Sequence, residues 1–144
     1  MAQINRHASA KWQGSGKDGT GSLTTQSATL KDTPYGFNSR FGDGKGTNPE
    51  ELIAAAHAGC FTMAFGNELS TSGHTPDTIA TTATVTLAIT DDGPTVTKIH
   101  LVTKATVPGI EKGKFDELAA KAKANCPISR LLKAAEISLD ATLE

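Results

Sequence analysis

Two cysteines, Cys60 and Cys126, stand 66 positions apart in a chain of 144 residues. A thiol does chemistry as its thiolate, which forms where a helix N-terminus or a nearby cation lowers the pKa. His57 precedes Cys60 by one helical turn, so the two share a face and the imidazole is in reach to hydrogen-bond or deprotonate the thiol. The bland alternative is a small buried hydrophobe beside a packed histidine. Cys126 lies in Asn125-Cys126-Pro127, where proline marks a helix start and the N-terminal position lowers a thiol pKa. Judged locally, Cys126 is the better nucleophile or else an inert capping residue. In a reducing compartment such a pair is either redox-active or two core thiols, since a structural disulfide is disfavoured there. The two cysteines and four histidines show no zinc-ligand spacing, so no metal and no cofactor are expected.

A thiolate in the middle of a helix needs a cation from elsewhere in the chain. Counting back from Cys60, Glu50 lies about 80° away around the helix and Glu51 about 180° away. Glu50 therefore faces the side bearing His57 and Cys60, and Glu51 serves as a capping charge. Glu50 is about 15 Å from Cys60 along the axis, so it acts through an intermediary. A bidentate arginine suits that task, and Arg40, just upstream of the helix, is the candidate. Its plainer fate is a solvated surface arginine.

These residues must be carried by definite elements. Thr47-Asn48-Pro49-Glu50-Glu51 combines a polar cap, proline at the first helical position and two carboxylates at the positive end of the dipole. The helix is predicted from Pro49 to about Leu69, and its alanine-rich stretch Leu52–Phe65 implies burial on several sides. A second subunit packed on it is expected. Upstream, His7–Trp12 and Ser22–Leu30 read as a hairpin, and Pro34–Phe41 as an extended segment followed by a flexible loop at Gly42–Gly46. Downstream, Ile79–Ile89 and Val96–Val107 alternate as an antiparallel pair. Lys114–Asn125 is helical, a short helix restarts at Cys126-Pro127, and Glu136–Leu143 alternates as a last strand. Strands in hairpins, without strand-helix-strand repetition, favour α+β over a doubly wound fold.

The composition sets the outer bounds. At 38% hydrophobic and 20% charged, the chain reads as one globular domain over 1–144. Fourteen basic against fifteen acidic residues, a net charge of −1, argue against nucleic-acid or membrane partners. No apolar run suits a membrane span and Met1–His7 does not read as a signal peptide, so a cytoplasmic location is expected.

Four blocks, taken together, resemble one known family: Pro34-Tyr35-Gly36-Phe37-Asn38-Ser39-Arg40-Phe41, then Gly46-Thr47-Asn48-Pro49-Glu50-Glu51 through His57-Ala58-Gly59-Cys60-Phe61, then Val107-Pro108-Gly109-Ile110, then Lys121-Ala122-Lys123 to Cys126-Pro127-Ile128-Ser129. Their order and length identify the chain as similar to the OsmC/Ohr family, and within it to the OsmC branch, over nearly its whole length. The resemblance implies an intertwined α+β homodimer with a long central helix packed against antiparallel sheets and active sites at the subunit interface. It implies a thiol peroxidase of the oxidative and osmotic stress response, taking organic hydroperoxides in preference to hydrogen peroxide and reset by an external thiol or dithiol. By the same resemblance Cys60 is the peroxidatic cysteine and Cys126 the resolving one. Arg40 with Glu50 keeps Cys60 ionised and orients the peroxide. The resemblance overrules the local preference for Cys126 and demotes His57, where related branches carry other residue types. Gly59 departs from the alanine of close relatives without touching a role. Phe37, Phe41, Phe61 and Phe65 are expected to favour an alkyl or aryl tail. A Cys60–His57 hydrolase and a ligand-binding stress protein with incidental cysteines are the rival classes.

Overall fold

A computed structural model describes residues 1–144. The chain forms two compact units, Met1–Leu52 and Ile53–Glu144.

The first unit holds a three-stranded antiparallel sheet of β1 (Ala8–Gln13), β2 (Thr20–Thr25) and β3 (Thr33–Tyr35), in that order. Ala8 pairs with Thr25, and Gly21 pairs with both Trp12 and Tyr35. A side chain at Gly21 would meet the Tyr35 and Trp12 rings at 2.4 and 2.7 Å, so glycine lets the two aromatics close over the strand. β2 ends at Thr25, earlier than the alternation predicts, because Thr25 N–H turns to bond Leu30 C=O and Ala28 takes φ 59°.

Phe37–Phe41 is a short helix, α1, and not the extended segment expected. The misreading has a simple cause: residues four apart share a side in both a strand and a helix. The Phe37 and Phe41 rings meet tilted by 47°, 4.9 Å between centres, and Gly36 N–H donates to Ser39 Oγ at 2.9 Å, which starts the helix. The following loop is pinned at several points: Gly44 N–H bonds Asn38 C=O, Thr47 N–H bonds Pro34 C=O, and Ser39 Oγ donates to Thr47 C=O. Gly46, at φ 114°, passes so close to Pro34 that a Cβ would sit 2.4 Å from its carbonyl oxygen. The expectation of a flexible loop gives way to a tied one.

Helix α2 runs over Pro49–Thr71. Asn48 caps it, its Oδ1 accepting from Glu51 N–H at 2.8 Å, and Thr47 Oγ1 donates to Glu51 at 2.7 Å. Burial by the chain itself falls on one stripe, His57, Phe61, Phe65 and Leu69. Ala55, Ala56, Gly59 and Met63 stand exposed, so burial on several sides is not achieved within one chain.

The second unit contains β4 (Thr78–Thr90), β5 (Gly93–Thr106) and β6 (Glu136–Leu143), with β5 central. β4 and β5 form the antiparallel hairpin that the alternation predicts, and β6 lies parallel to β5, from Lys98↔Glu136 to Ala105↔Leu143. A parallel neighbour requires a crossover, supplied here by α3 (Lys112–Asn125) and α4 (Pro127–Leu131). The α+β reading holds, with this one pair departing from purely antiparallel sheets. Phe61, Phe65 and Leu69 of α2, Leu101 and Ala105 of β5, and Phe115, Leu118 and Ala122 of α3 make the core, which also takes in Cys126. Phe65 meets the Phe115 ring edge-on at 5.2 Å. A threonine chain runs beside it, Thr62 Oγ1 donating to Thr81 at 2.8 Å and Thr81 sharing a bond with buried Thr103 at 2.9 Å. No helix is long and apolar enough to cross a membrane.

Candidate functional site

The second unit brings the two cysteines together. α2 presents Cys60 half-buried on its flank. The α3–α4 junction presents Cys126, fully buried, as the cap of α4. Their sulfurs lie 3.0 Å apart and both are free thiols, about 1 Å beyond a disulfide bond length. Core packing of α2 against α3 sets this approach, which no local pattern specifies.

The two thiols share a hydrogen bond and titrate as a pair. Burial pushes the Cys60 thiol up, the hydrogen bond with Cys126 pushes it further, and the Ile128 amide opposes them weakly. Burial acts the same way on Cys126. There the interaction with Cys60, the amide and hydroxyl of Ser129 and the amide of Ile128 together outweigh it, so the Cys126 thiol is lowered. The direction agrees with the placing of Cys126 at the start of α4. Access favours the other, since Cys126 has no exposed surface and Cys60 has some.

His57 does not serve Cys60. Its ring is fully buried, and Nε2 bonds Ser129 Oγ at 2.7 Å while Nδ1 has no partner. Burial lowers its pKa, keeping the ring neutral. The Cys60–His57 couple of a thiol hydrolase is therefore absent, because helical proximity put the imidazole on the stripe facing α4. Ser129 was not singled out from the sequence. The signal available was its place three residues after Cys126, at the third position of α4.

The first unit brings Arg40 and Glu50 together. α1 carries Arg40 in its last turn and α2 carries Glu50 in its first. Arg40 Nε reaches both carboxylate oxygens at 3.2 Å and Nη2 reaches Oε1 at 2.7 Å. This is the fork geometry that arginine alone provides. Asn48 Nδ2 donates to Ser39 C=O at 3.0 Å, tying the helix start to α1 and fixing the distance between the two charges. The hydrogen bonds from Arg40 hold the Glu50 carboxyl below its usual range, against burial, and those to Glu50 raise Arg40. The guanidinium also lies 5.3 Å from the Phe41 ring centre.

Around Arg40, the residues Trp12, Tyr35, Phe37, Phe41 and Pro49 wall a cavity of about 110 Å³. Phe37 and Phe41 are 44% exposed, as an apolar binding wall requires, whereas Phe61 and Phe65 are wholly buried in the second unit's core. The expected four-phenylalanine environment thus reduces to two, and Trp12 and Tyr35 join them. Glu51 bonds Thr47 and serves the helix cap as expected.

Three comparisons bear on this arrangement. A family model described as OsmC-like protein matches residues 42–141. The chain is 50% identical over 141 residues, 98% of each chain, to peroxiredoxin OsmC of Escherichia coli (strain K12). Among solved structures it resembles an organic hydroperoxide resistance protein OsmC from Legionella pneumophila, with a TM-score of 0.74, 25% identity and 99% coverage of both chains. It also shares its fold with an OsmC-like protein from Mycoplasma pneumoniae at a TM-score of 0.77, 14% identity and 99% coverage of both chains.

Proposed function

The chain belongs to the OsmC-like family, and from that premise we propose how it works as a thiol-dependent peroxidase on organic hydroperoxides. The observation that carries the reading is the pair of free thiols 3.0 Å apart, one accessible and one buried. The Cys60 thiolate attacks the terminal peroxide oxygen and the O–O bond breaks. Alkoxide leaves to become the alcohol, and Cys60 becomes a sulfenic acid. Cys126 then attacks the Cys60 sulfur, expelling hydroxide and closing the Cys60–Cys126 disulfide. An external thiol or dithiol reopens it by exchange.

Arg40, held by Glu50, is the cation that ionises Cys60 and steadies the charge on the departing oxygen. What supports this role is that burial and the bond to Cys126 raise the Cys60 thiol, so that its ionisation calls for a cation. A carboxylate-bound guanidinium keeps a fixed direction where a free one would swing into solvent. The aromatic cavity beside Arg40 suits an alkyl or aryl tail better than the small, hydrated hydrogen peroxide.

The working unit in this reading is a homodimer. The exposed apolar face of α2, with Met63 79% exposed beside Ala55, Ala56 and Gly59, is the surface that a second copy would cover.

Replacing each cysteine tests the assignment. Cys60→Ser is expected to abolish consumption of cumene hydroperoxide. Cys126→Ser is expected to allow one turnover and leave a sulfenic acid trappable by dimedone. The opposite pattern would reverse the two roles, and retained activity in both variants would remove the mechanism.

A further inference from the structure

The cavity beside Arg40 is small for the task given to it. Its volume of about 110 Å³ is below the roughly 150 Å³ of a protein cavity that takes up one benzene ring, so a single ring uses all of it and the rest of a tail must run on. The space it runs into lies in the same unit. A second cavity, of about 300 Å³, has Tyr35, Gly36 and Phe37 in common with the first.

The second cavity differs from the first in charge. Lys17 and Lys45 line it and no carboxylate does; Asp18 and Asp43, the acidic residues nearest in sequence, stay outside the lining. Lys112, Lys114 and Lys121 each hold a carboxylate, whereas Lys17 and Lys45 enter no ion pair. Both lysines stand on tied turns. Gly19 N–H bonds Ser15 C=O at 2.8 Å and Asp18 N–H bonds Ser15 Oγ at 3.0 Å, which fixes the backbone around Lys17. Gly44 N–H bonds Asn38 C=O at 3.1 Å and Thr47 N–H bonds Pro34 C=O at 2.9 Å, which does the same around Lys45. Two ammonium groups over one cavity, with no acid to neutralise them, attract an anion.

We propose that Lys17 and Lys45 form an anion subsite: they take the carboxylate of an organic hydroperoxide whose peroxide end lies at Arg40 and whose tail crosses Tyr35 and Phe37. The proposal rests on the peroxidase reading above and names a substrate class within it, hydroperoxides that carry a carboxylate. The two lysines touch no reacting atom, and the covalent steps stay as written. An interaction this far from the O–O bond is the same in the ground state and the transition state, so its gain falls in KM and not in kcat.

A matched pair of substrates tests this: cumene hydroperoxide bearing a ring carboxylate, and the methyl ester of the same compound. The readout is the ratio of kcat/KM for acid over ester at low ionic strength. Each exposed ammonium is expected to supply about twofold to fivefold, so the native ratio should be about tenfold, carried by KM. It should decline as salt rises from about 10 mM to about 1 M. Lys17→Gln with Lys45→Gln is expected to bring the ratio to about one, and Lys45→Glu alone to lower it further than Lys45→Gln. A native ratio of one would overturn the proposal, as would a ratio that survives the double substitution. Equal losses on acid and ester in the double variant, which leave the ratio where it was, would mark a structural role and overturn it too. A native protein that consumes neither substrate, nor cumene hydroperoxide itself, would defeat the peroxidase reading, a result separate from all of these.

Discussion

The Arg40–Glu50 couple and the Cys60–Cys126 couple are assembled by opposite means. Ten residues separate the charged pair, and everything that holds it is local: the Gly36–Ser39 helix start, the pinned loop and the Asn48 cap. Sixty-six residues separate the sulfurs, and what holds them is the packing of α2 against α3 through Phe61, Phe65, Phe115 and Ala122. The charged pair stays near solvent, with the Arg40 side chain 38% exposed, while Cys126 has no exposed surface. The difference suits the tasks proposed for the two couples. A cation that meets a diffusing substrate must be reachable yet aimed, and a bidentate carboxylate aims it. A thiol that captures a sulfenic acid must be close and dry, which only a core provides.

The largest effect is expected where the core is broken. Phe65→Ala removes a fully buried ring that touches both Phe61 and Phe115, and should cost about 3–5 kcal/mol of stability by thermal or urea unfolding. Closure of the disulfide should slow with it, because the spacing of the sulfurs depends on that packing. Native stability in Phe65→Ala would detach the sulfur pair from the core. Next comes the charged couple: Arg40→Met is expected to lower the rate of sulfenic-acid formation about a hundredfold, with the folding midpoint little changed. Loss of stability comparable to Phe65→Ala would show that Arg40 is structural.

The smallest effect belongs to Glu50→Gln. Hydrogen bonds from Arg40 hold the Glu50 carboxyl low, and a carboxyl whose folded pKa is lowered contributes stability in full above its unfolded pKa. That contribution fades as the pH falls through the lowered value. With Arg40 part-exposed and screened by water, the gap between native and Glu50→Gln protein should be on the order of 1 kcal/mol or less at neutral pH. It should close on acidification below the usual carboxylate range. A gap that widens in acid would contradict the pairing.

The same contrast explains what was legible in the sequence. The α2 start was written in Asn48, Pro49 and Glu51, and Glu50 could be aimed by counting turns, so the Arg40–Glu50 pair was foreseeable from a few residues. Helix α1 was missed because Phe37 and Phe41 fit strand and helix alike, and one hydroxyl, that of Ser39, decides between them. The parallel setting of β6 was hidden because alternation tells which face a strand buries and not which way its neighbour runs. Phe61 and Phe65 looked available for a substrate tail, yet their spacing of four put both on the buried stripe. His57 pairing with Ser129 across 72 positions is beyond any local count, and so is the approach of the two sulfurs.

The central claim is that the two cysteines form one redox couple that consumes peroxide. It is tested most directly by giving the fully reduced protein one equivalent of cumene hydroperoxide in the absence of any reductant and weighing the product. The account predicts one equivalent of alcohol and a chain lighter by the mass of H2, with Cys60 and Cys126 recovered in a single cross-linked peptide. Unconsumed peroxide, or a chain that gains oxygen at Cys126 while Cys60 stays reduced, would contradict it.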